Sequence, residues 1–401
     1  MMSHKLLSVR QVFLLLSAIL FVLVPPSSLG AENAARSATF GFQKKEILQG
    51  IDALYDLEFD KAQSVFSTLV SENPENPAGY FYLAMVTWSR LANGFWGPEV
   101  VNDFAKRIDR AIAVARKSIQ KNNEDSLSFF YLGGALGFKG RFELMRHKWL
   151  TSYNLAYHAI SALDTCLKLD PNNRDALFGL GVFDYYTARL SGVLKFLTYL
   201  FLHKGNKEEG LRKLHIAAEQ AVYSRIEAKS MLIHIYLFLE DQCEKALPLT
   251  QELAARFQKN PRYKYFEGIV YAREGRESEF EAVVDFLKRR SVAQRSKSRS
   301  LLWKDEALYL EASYYLLRSK YTDAIRTLDR ILSYPDPVSN PAMIAWPLLK
   351  KGMSYDLLGN REKAVEYYSL VKKMRNGAGA QFLAEKYLKK PVSKGDLFLG
   401  Y

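Results

Sequence analysis

From residue 44 onward the apolar positions recur at spacings of three and four, and alternation at period two never persists, so the chain reads as helix after helix with no strand. The first such stretch holds Ile47, Leu48, Ile51 and Leu54, and the second holds Ala62, Phe66 and Leu69. Asn73-Pro74 ends that unit, because proline disfavours helix in the residue before it, and Asn76-Pro77 opens the next. The same arrangement returns along the chain. A small residue in one stretch, Gly50, Gly133, Ala312 or Gly352, precedes a small-then-large pair in the next: Ala62 and Phe66, Ala159 and Leu163, Ala324 and Leu328, Ala364 and Tyr368. An amphipathic helix cannot bury its apolar face alone. A small residue lets two helices approach closely, and a large one on the facing helix fills the gap. The pattern therefore predicts an all-α fold, an α-solenoid wound as a right-handed superhelix of about eight helix pairs with helical inserts.

The organisation follows from where this rhythm holds. Repeats one to six, with inserts, occupy 44–290, a basic linker spans 291–304, repeats seven and eight span 305–375, and a capping helix with a tail takes 376–401. The cap keeps the open end of the stack soluble. The segment 190–203 departs from the pattern, being apolar on nearly every side through Leu194, Phe196, Leu197, Leu200 and Phe201. It reads either as a helix plugging the inside of the superhelix or as a lining for an apolar ligand or a contact with a membrane surface. It is too short to span a bilayer.

The first 30 residues have a different character. Lys5 and Arg10 precede an apolar run from Val12 to Val24, Pro25-Pro26 breaks it, and small residues follow at Ser28 to Ala31. This is the layout of a secretory signal peptide over 1–30, followed by a flexible leader at 31–43, and it implies an exported protein. Only Cys166 and Cys243 are present, too few for a disulfide-stapled fold, and both read as small core residues. The net charge of +13 favours an anionic neighbour: an acidic protein, a lipid headgroup or an anionic glycan. Nucleic acid is excluded as a partner by the export signal and the lack of a groove-reading motif. The run Lys288-Arg289-Arg290 with Arg295, Lys297 and Arg299 reads as a solvated loop or as a docking element for an anionic surface.

Motifs for catalysis are missing. There is no His-Glu-x-x-His, no Cys-x-x-Cys, no Gly-x-Ser-x-Gly and no phosphate loop, so the chain reads as a non-enzyme with no metal and no cofactor. Gly133, Gly134, Gly137 and Gly140 sit at helical spacing, which suits close packing, or a narrow cleft beside Lys139, Arg141, Arg146 and Trp149. His147 and His158 are eleven residues apart and cannot share a metal unaided.

On the alanine, glycine and aromatic offsets given above, residues 45–375 resemble the tetratricopeptide-repeat (TPR) proteins, and with the export signal the chain looks like a bacterial envelope member, periplasmic or secreted. The stretch Phe178-Gly179-Leu180-Gly181-Val182-Phe183-Asp184, with Gly205 to Leu211, resembles the tetratricopeptide repeat 39 family. That likeness implies a helical insert at this place and no particular function. The repeat resemblance implies a concave groove, lined by first helices, that binds a peptide or protein partner. The candidate contacts are Tyr55, Tyr82, Trp88, Phe129, Tyr185, Tyr236, Tyr271, Tyr315 and Tyr355. The expected role is a non-catalytic scaffold; the other expectation is a carrier or sensor of an apolar ligand at 190–203.

Overall fold

A computed structural model describes residues 44–146, 148–189, 205–294, 297–334, 340–374 and 376–396. The signal segment, the leader, His147 and the apolar insert with Leu194, Phe196, Leu197, Leu200 and Phe201 lie outside the described residues. The chain divides into two compact units, Met1–Glu46 and Ile47–Tyr401, and the second carries the helical stack.

Among the described residues there are seventeen α-helices and no strand. They fall into eight pairs: α1 (44–55) with α2 (Phe59–Glu72), α3 (Pro77–Ala92) with α4 (Pro98–Lys121), α5 (Ser126–Met145) with α6 (Trp149–Leu169), α7 (Ala176–Ala188) with α8 (Lys207–Gln220), α9 (Arg225–Phe238) with α10 (Cys243–Arg256), α11 (Pro261–Glu274) with α12 (Glu277–Ala293), α13 (Lys297–Leu317) with α14 (Tyr321–Leu332), and α15 (Ala342–Leu357) with α16 (Arg361–Lys373). The single helix α17 (Ala380–Lys389) ends the stack. This is an all-α solenoid of stacked helix pairs.

Local chemistry sets the helix boundaries. Proline stands in the first turn of α3, α4 and α11, where a missing N–H costs nothing. Asn76, Asp125, Asn206, Asn260 and Asn360 cap α3, α5, α8, α11 and α16 by accepting a backbone N–H. The turns inside four pairs are alike: Leu57, Gly275, Ser319 and Gly359 take φ of 59°, 74°, 59° and 78°. The next residue in each donates its N–H five residues back: Glu58 to Ala53, Arg276 to Tyr271, Lys320 to Tyr315 and Asn360 to Tyr355. That left-handed stop, with its long bond, reverses the chain and satisfies a carbonyl the helix end would leave bare.

The crossings use the small residues the sequence singles out. A Cβ added to Gly50, Gly352 or Gly133 would lie 2.4 Å from Phe66, 2.5 Å from Tyr368 or 2.6 Å from Leu163. Ala62, Ala324 and Ala364 are fully buried, as are Phe66, Leu328 and Tyr368. In the fourth pair the backbones themselves meet: a Cβ on Gly210 would stand 2.6 Å from the Tyr185 nitrogen. Two features need more than helix pairing. The buried Asp175 carboxylate, just before α7, accepts from the backbone N–H of Val222, Tyr223 and Ser224 at 3.2, 2.7 and 2.6 Å, and from the Ser224 hydroxyl. It ties the α8–α9 turn to α7. Secondly, α1 reaches repeats five and six, about 200 residues away in sequence. Arg256 pairs with Asp52 at 2.7 Å, the Lys259 N–H donates to Asp56 at 2.8 Å, and the Lys259 amine pairs with Glu58 at 2.5 Å. Asn260 donates to the Tyr55 carbonyl at 2.9 Å, and the Tyr55 hydroxyl donates to Glu227. Contact in this solenoid is thus not confined to neighbouring repeats.

The segment 291–304, expected as a basic linker, is mostly helix. α12 runs to Ala293 and α13 begins at Lys297, so three residues separate them in sequence. Lys288 pairs with Glu311 at 2.8 Å, and Arg290 lies over the Phe286 ring. These cations cover the helix surface rather than decorating a loop. Cys166 and Cys243 are free thiols, and burial pushes Cys166 up to about 12.

Candidate partner-binding face

Five consecutive first helices contribute to one surface. On α3, the Trp88 ring lies 5.4 Å from Phe138 of α5, and the Arg141 guanidinium of α5 sits 5.2 Å above the same indole. On α7, the Tyr186 hydroxyl points at the Met231 sulfur of α9, 3.7 Å away. On α9, His234 stands edge-on to Phe238 and to Phe266 of α11, at 5.6 and 5.0 Å. Helix phase explains the alignment: residues three to four apart share a face, so Gly134, Gly137, Phe138 and Arg141 form one stripe of α5. Gly134 meets Phe81 of α3, whereas a Cβ on Gly137 would meet nothing within 4 Å. Gly133 and Gly140, on the adjoining side, pack against α6. The glycine-rich helix thus does two jobs, close packing on one side and open space on the other.

One cation of this face is unbalanced. Arg141 is exposed and makes no ion pair or hydrogen bond among the described residues. His234 faces the Ser230 carbonyl through Nδ1 at 3.1 Å, so Nδ1 carries the proton and Nε2 is left as an acceptor. Burial lowers the imidazole to about 4, the Arg262 and Arg141 charges add to the shift, and the Ser230 bond opposes it, so the ring is neutral near pH 7. Arg262 itself is committed to Glu306 of α13 at 3.1 Å. Deeper in the stack, Lys350 donates to Ser313 at 2.6 Å and lies 4.4 Å from the Tyr309 ring centre; burial holds its amine well below the ordinary range. Among the described residues no group of three or more His, Cys, Asp or Glu could hold a metal ion, and no helix is long and apolar enough to cross a membrane.

The nine aromatic positions named from sequence are mostly packed inward. Tyr82 is buried and stacks on Phe66 at 5.0 Å, and Tyr185 is fully buried with its hydroxyl on Glu240 at 2.6 Å. Tyr236 and Tyr271 are buried, bonded to His215 and Gln251 on the second helices α8 and α10. Tyr315 and Tyr355 are half-buried, and Tyr355 stacks on Tyr367 of α16 at 5.4 Å. Phe129 is half-buried against the core, and Tyr55 is taken up by Glu227 and Phe257. Trp88 alone of the nine lies on the shared face, 8% exposed beneath Arg141. The cause is register. Tyr271, Tyr315 and Tyr355 stand three residues after the small crossing residue, on the side that meets the second helix. The open side is about 100° away per residue. Hence Tyr186, 40% exposed, faces outward where Tyr185 does not. Arg141 was legible as a cation beside the glycines; Tyr186, Met231 and His234 carry no sequence signal beyond helix phase.

No family model matches the chain, and no curated protein matches it. Among solved structures it is similar to YrrB, a TPR protein with an unusual peptide-binding site, at 15% identity over 68% of this chain and 97% of that one, with a TM-score of 0.29. It is similar to a tetratricopeptide repeat protein from Parabacteroides merdae at 12% identity, over 86% and 97%, with a TM-score of 0.34. It is also similar to an IFIT1 mutant solved with m7Gppp-AAAA at 13% identity, over 82% and 68%, with a TM-score of 0.44. These superpositions are loose, and the assignment to helix-pair repeats stands on the packing inside this chain.

Proposed function

We propose that this protein is a non-catalytic scaffold that holds a protein or peptide partner on the face shared by α3, α5, α7, α9 and α11. The observation that carries the reading is the exposed, unpaired Arg141 stacked on Trp88 beside the open space at Gly137. A guanidinium held over an indole with no acid paired to it keeps its N–H donors for a carboxylate of another molecule. Tyr186 and the Nε2 acceptor of His234 supply polar contacts on the neighbouring helices, and the half-buried Phe138 and Phe238 supply apolar area. An acidic, extended segment of another protein fits that combination. The proposal includes export to a periplasm or cell envelope, supported by the signal-peptide layout of 1–30.

The test is crosslinking with mass spectrometry on tagged protein in its native cells, comparing wild type with Arg141→Glu and Gly137→Trp. A Cβ at Gly137 meets nothing within 4 Å and Arg141 is exposed, so both substitutions start at open positions, and equal melting temperatures verify the fold. A stoichiometric protein partner lost from both supports the proposal. A partner retained by both, or crosslinks confined to other faces, removes it.

A further inference from the structure

At the start of α6 the protein leaves apolar side chains uncovered. Trp149 is 39%, Leu150 80% and Tyr157 48% exposed, and together with Tyr153 they run along one side of the helix. Phe382 of α17, 61% exposed, extends the same surface: its ring meets Trp149 edge-on at 6.4 Å and 69°. Two elements more than 200 residues apart thus place exposed aromatic groups side by side. Isolated apolar side chains on a surface need no explanation, but a contiguous aromatic group does.

Cations border this surface. At the α5–α6 corner, the exposed Arg146 and Lys148 share one nearly buried carboxylate, Glu143, at 3.4 and 3.1 Å, which leaves positive charge in excess. At the end of α17, Lys389 and Lys390 are exposed, and Lys389 pairs with Glu385 at 3.2 Å. Trp and Tyr have apolar bodies with polar tips and collect at the level of lipid headgroups, where basic side chains meet phosphate.

We infer that this surface docks the protein onto an anionic lipid bilayer. Trp149, Leu150 and Phe382 enter the boundary between headgroups and acyl chains, and Lys148, Lys389 and Lys390 meet the phosphates. A bilayer fits better than a protein partner because the apolar groups are few and strongly exposed, while the flanking charge is net positive. The surface is separate from Arg141 and Gly137, so the scaffold reading and this one succeed or fail independently.

The experiment is sedimentation of the full chain with vesicles of phosphatidylglycerol and phosphatidylcholine at about 3:7, and with phosphatidylcholine alone. Wild type is compared with Leu150→Asp/Phe382→Asp and with Lys389→Glu/Lys390→Glu. All three proteins carry the same 1–30 and 190–203 segments, so any difference in partition belongs to this surface. The substituted side chains are exposed, and equal melting temperatures verify the fold. The expected result is a loss of partition into the anionic vesicles of about tenfold or more in both variants. Partition unchanged by either substitution overturns the inference. So does a concentration-dependent dimer that the Leu150→Asp/Phe382→Asp variant abolishes without any change in lipid binding, which would make the surface a contact between copies.

Discussion

Repeats six to eight and repeats one to five are built from the same helix pairs but are held by different means. In the last three, the pair turns at Gly275, Ser319 and Gly359 share one geometry, and neighbouring first helices are joined locally by Arg262 with Glu306 and Lys350 with Ser313. In the first five, the connections vary, α7 and α8 touch backbone to backbone, and α1 is clasped to α10 and α11 from about 200 residues away. Regular repeats stack by nearest-neighbour rules. The irregular half needs contacts that close a large loop of chain, and those depend on a few polar side chains.

That contrast can be broken most sharply at Asp175. Asp175→Ala leaves three backbone N–H groups and the Ser224 hydroxyl without their acceptor, so it should cost about 4 kcal/mol in urea unfolding. A loss below about 1 kcal/mol would mean the α8–α9 turn is held by packing alone. In the regular half the largest lever is the buried Glu306, whose carboxyl burial raises to about 7, with Arg262 opposing and Asp305 adding. The folded state then holds a proton that the unfolded chain releases near its ordinary 4.5. The stabilisation is complete below that value and is lost as pH rises from about 4.5 to 7. Melting curves across this range should fall for wild type relative to Glu306→Gln, by on the order of 3 kcal/mol. A constant offset between the two would show that the group does not titrate there.

Ala364→Leu sharpens the comparison at a regular crossing. Ala364 is fully buried, and overpacking should cost about 2 kcal/mol by thermal melting. An unchanged melting temperature would place the α15–α16 crossing elsewhere. The smallest effect belongs to the clasp. Lys259→Ala removes a half-exposed amine, 51% accessible, from Asp56 and Glu58, and should cost less than about 1 kcal/mol, vanishing at high salt. Its signature is local: faster amide exchange in α1 with the rates of α13 to α16 unchanged. Uniform acceleration along the chain would show that the two regions unfold as one.

Particular residues show how far the chain could be read before its fold was known. Gly50, Gly133 and Gly352 were legible as crossing points because only a small residue lets a partner ring or leucine come that close. The paired order, the Pro77 start and the terminal helix were legible for the same local reasons. Tyr185 and Tyr186 were not distinguishable: one is fully buried on Glu240 and its neighbour is 40% exposed, a difference of one helix step. The exposure of Tyr157 and Phe382 carried no sequence signal, since aromatic residues at helical spacing are usually core.

The sequence by itself determined the helices, their pairing and the residues at which they cross, because each depends on contacts within about forty residues and on the size of one side chain. Only the tertiary structure decided which side of each first helix stays open, that α1 returns to repeats five and six, and that Arg141 stands unpaired over Trp88. Those facts depend on how small rotations between successive pairs add up along the stack. No single pair encodes that sum, since side chains far apart in the chain meet only once every intervening angle is set.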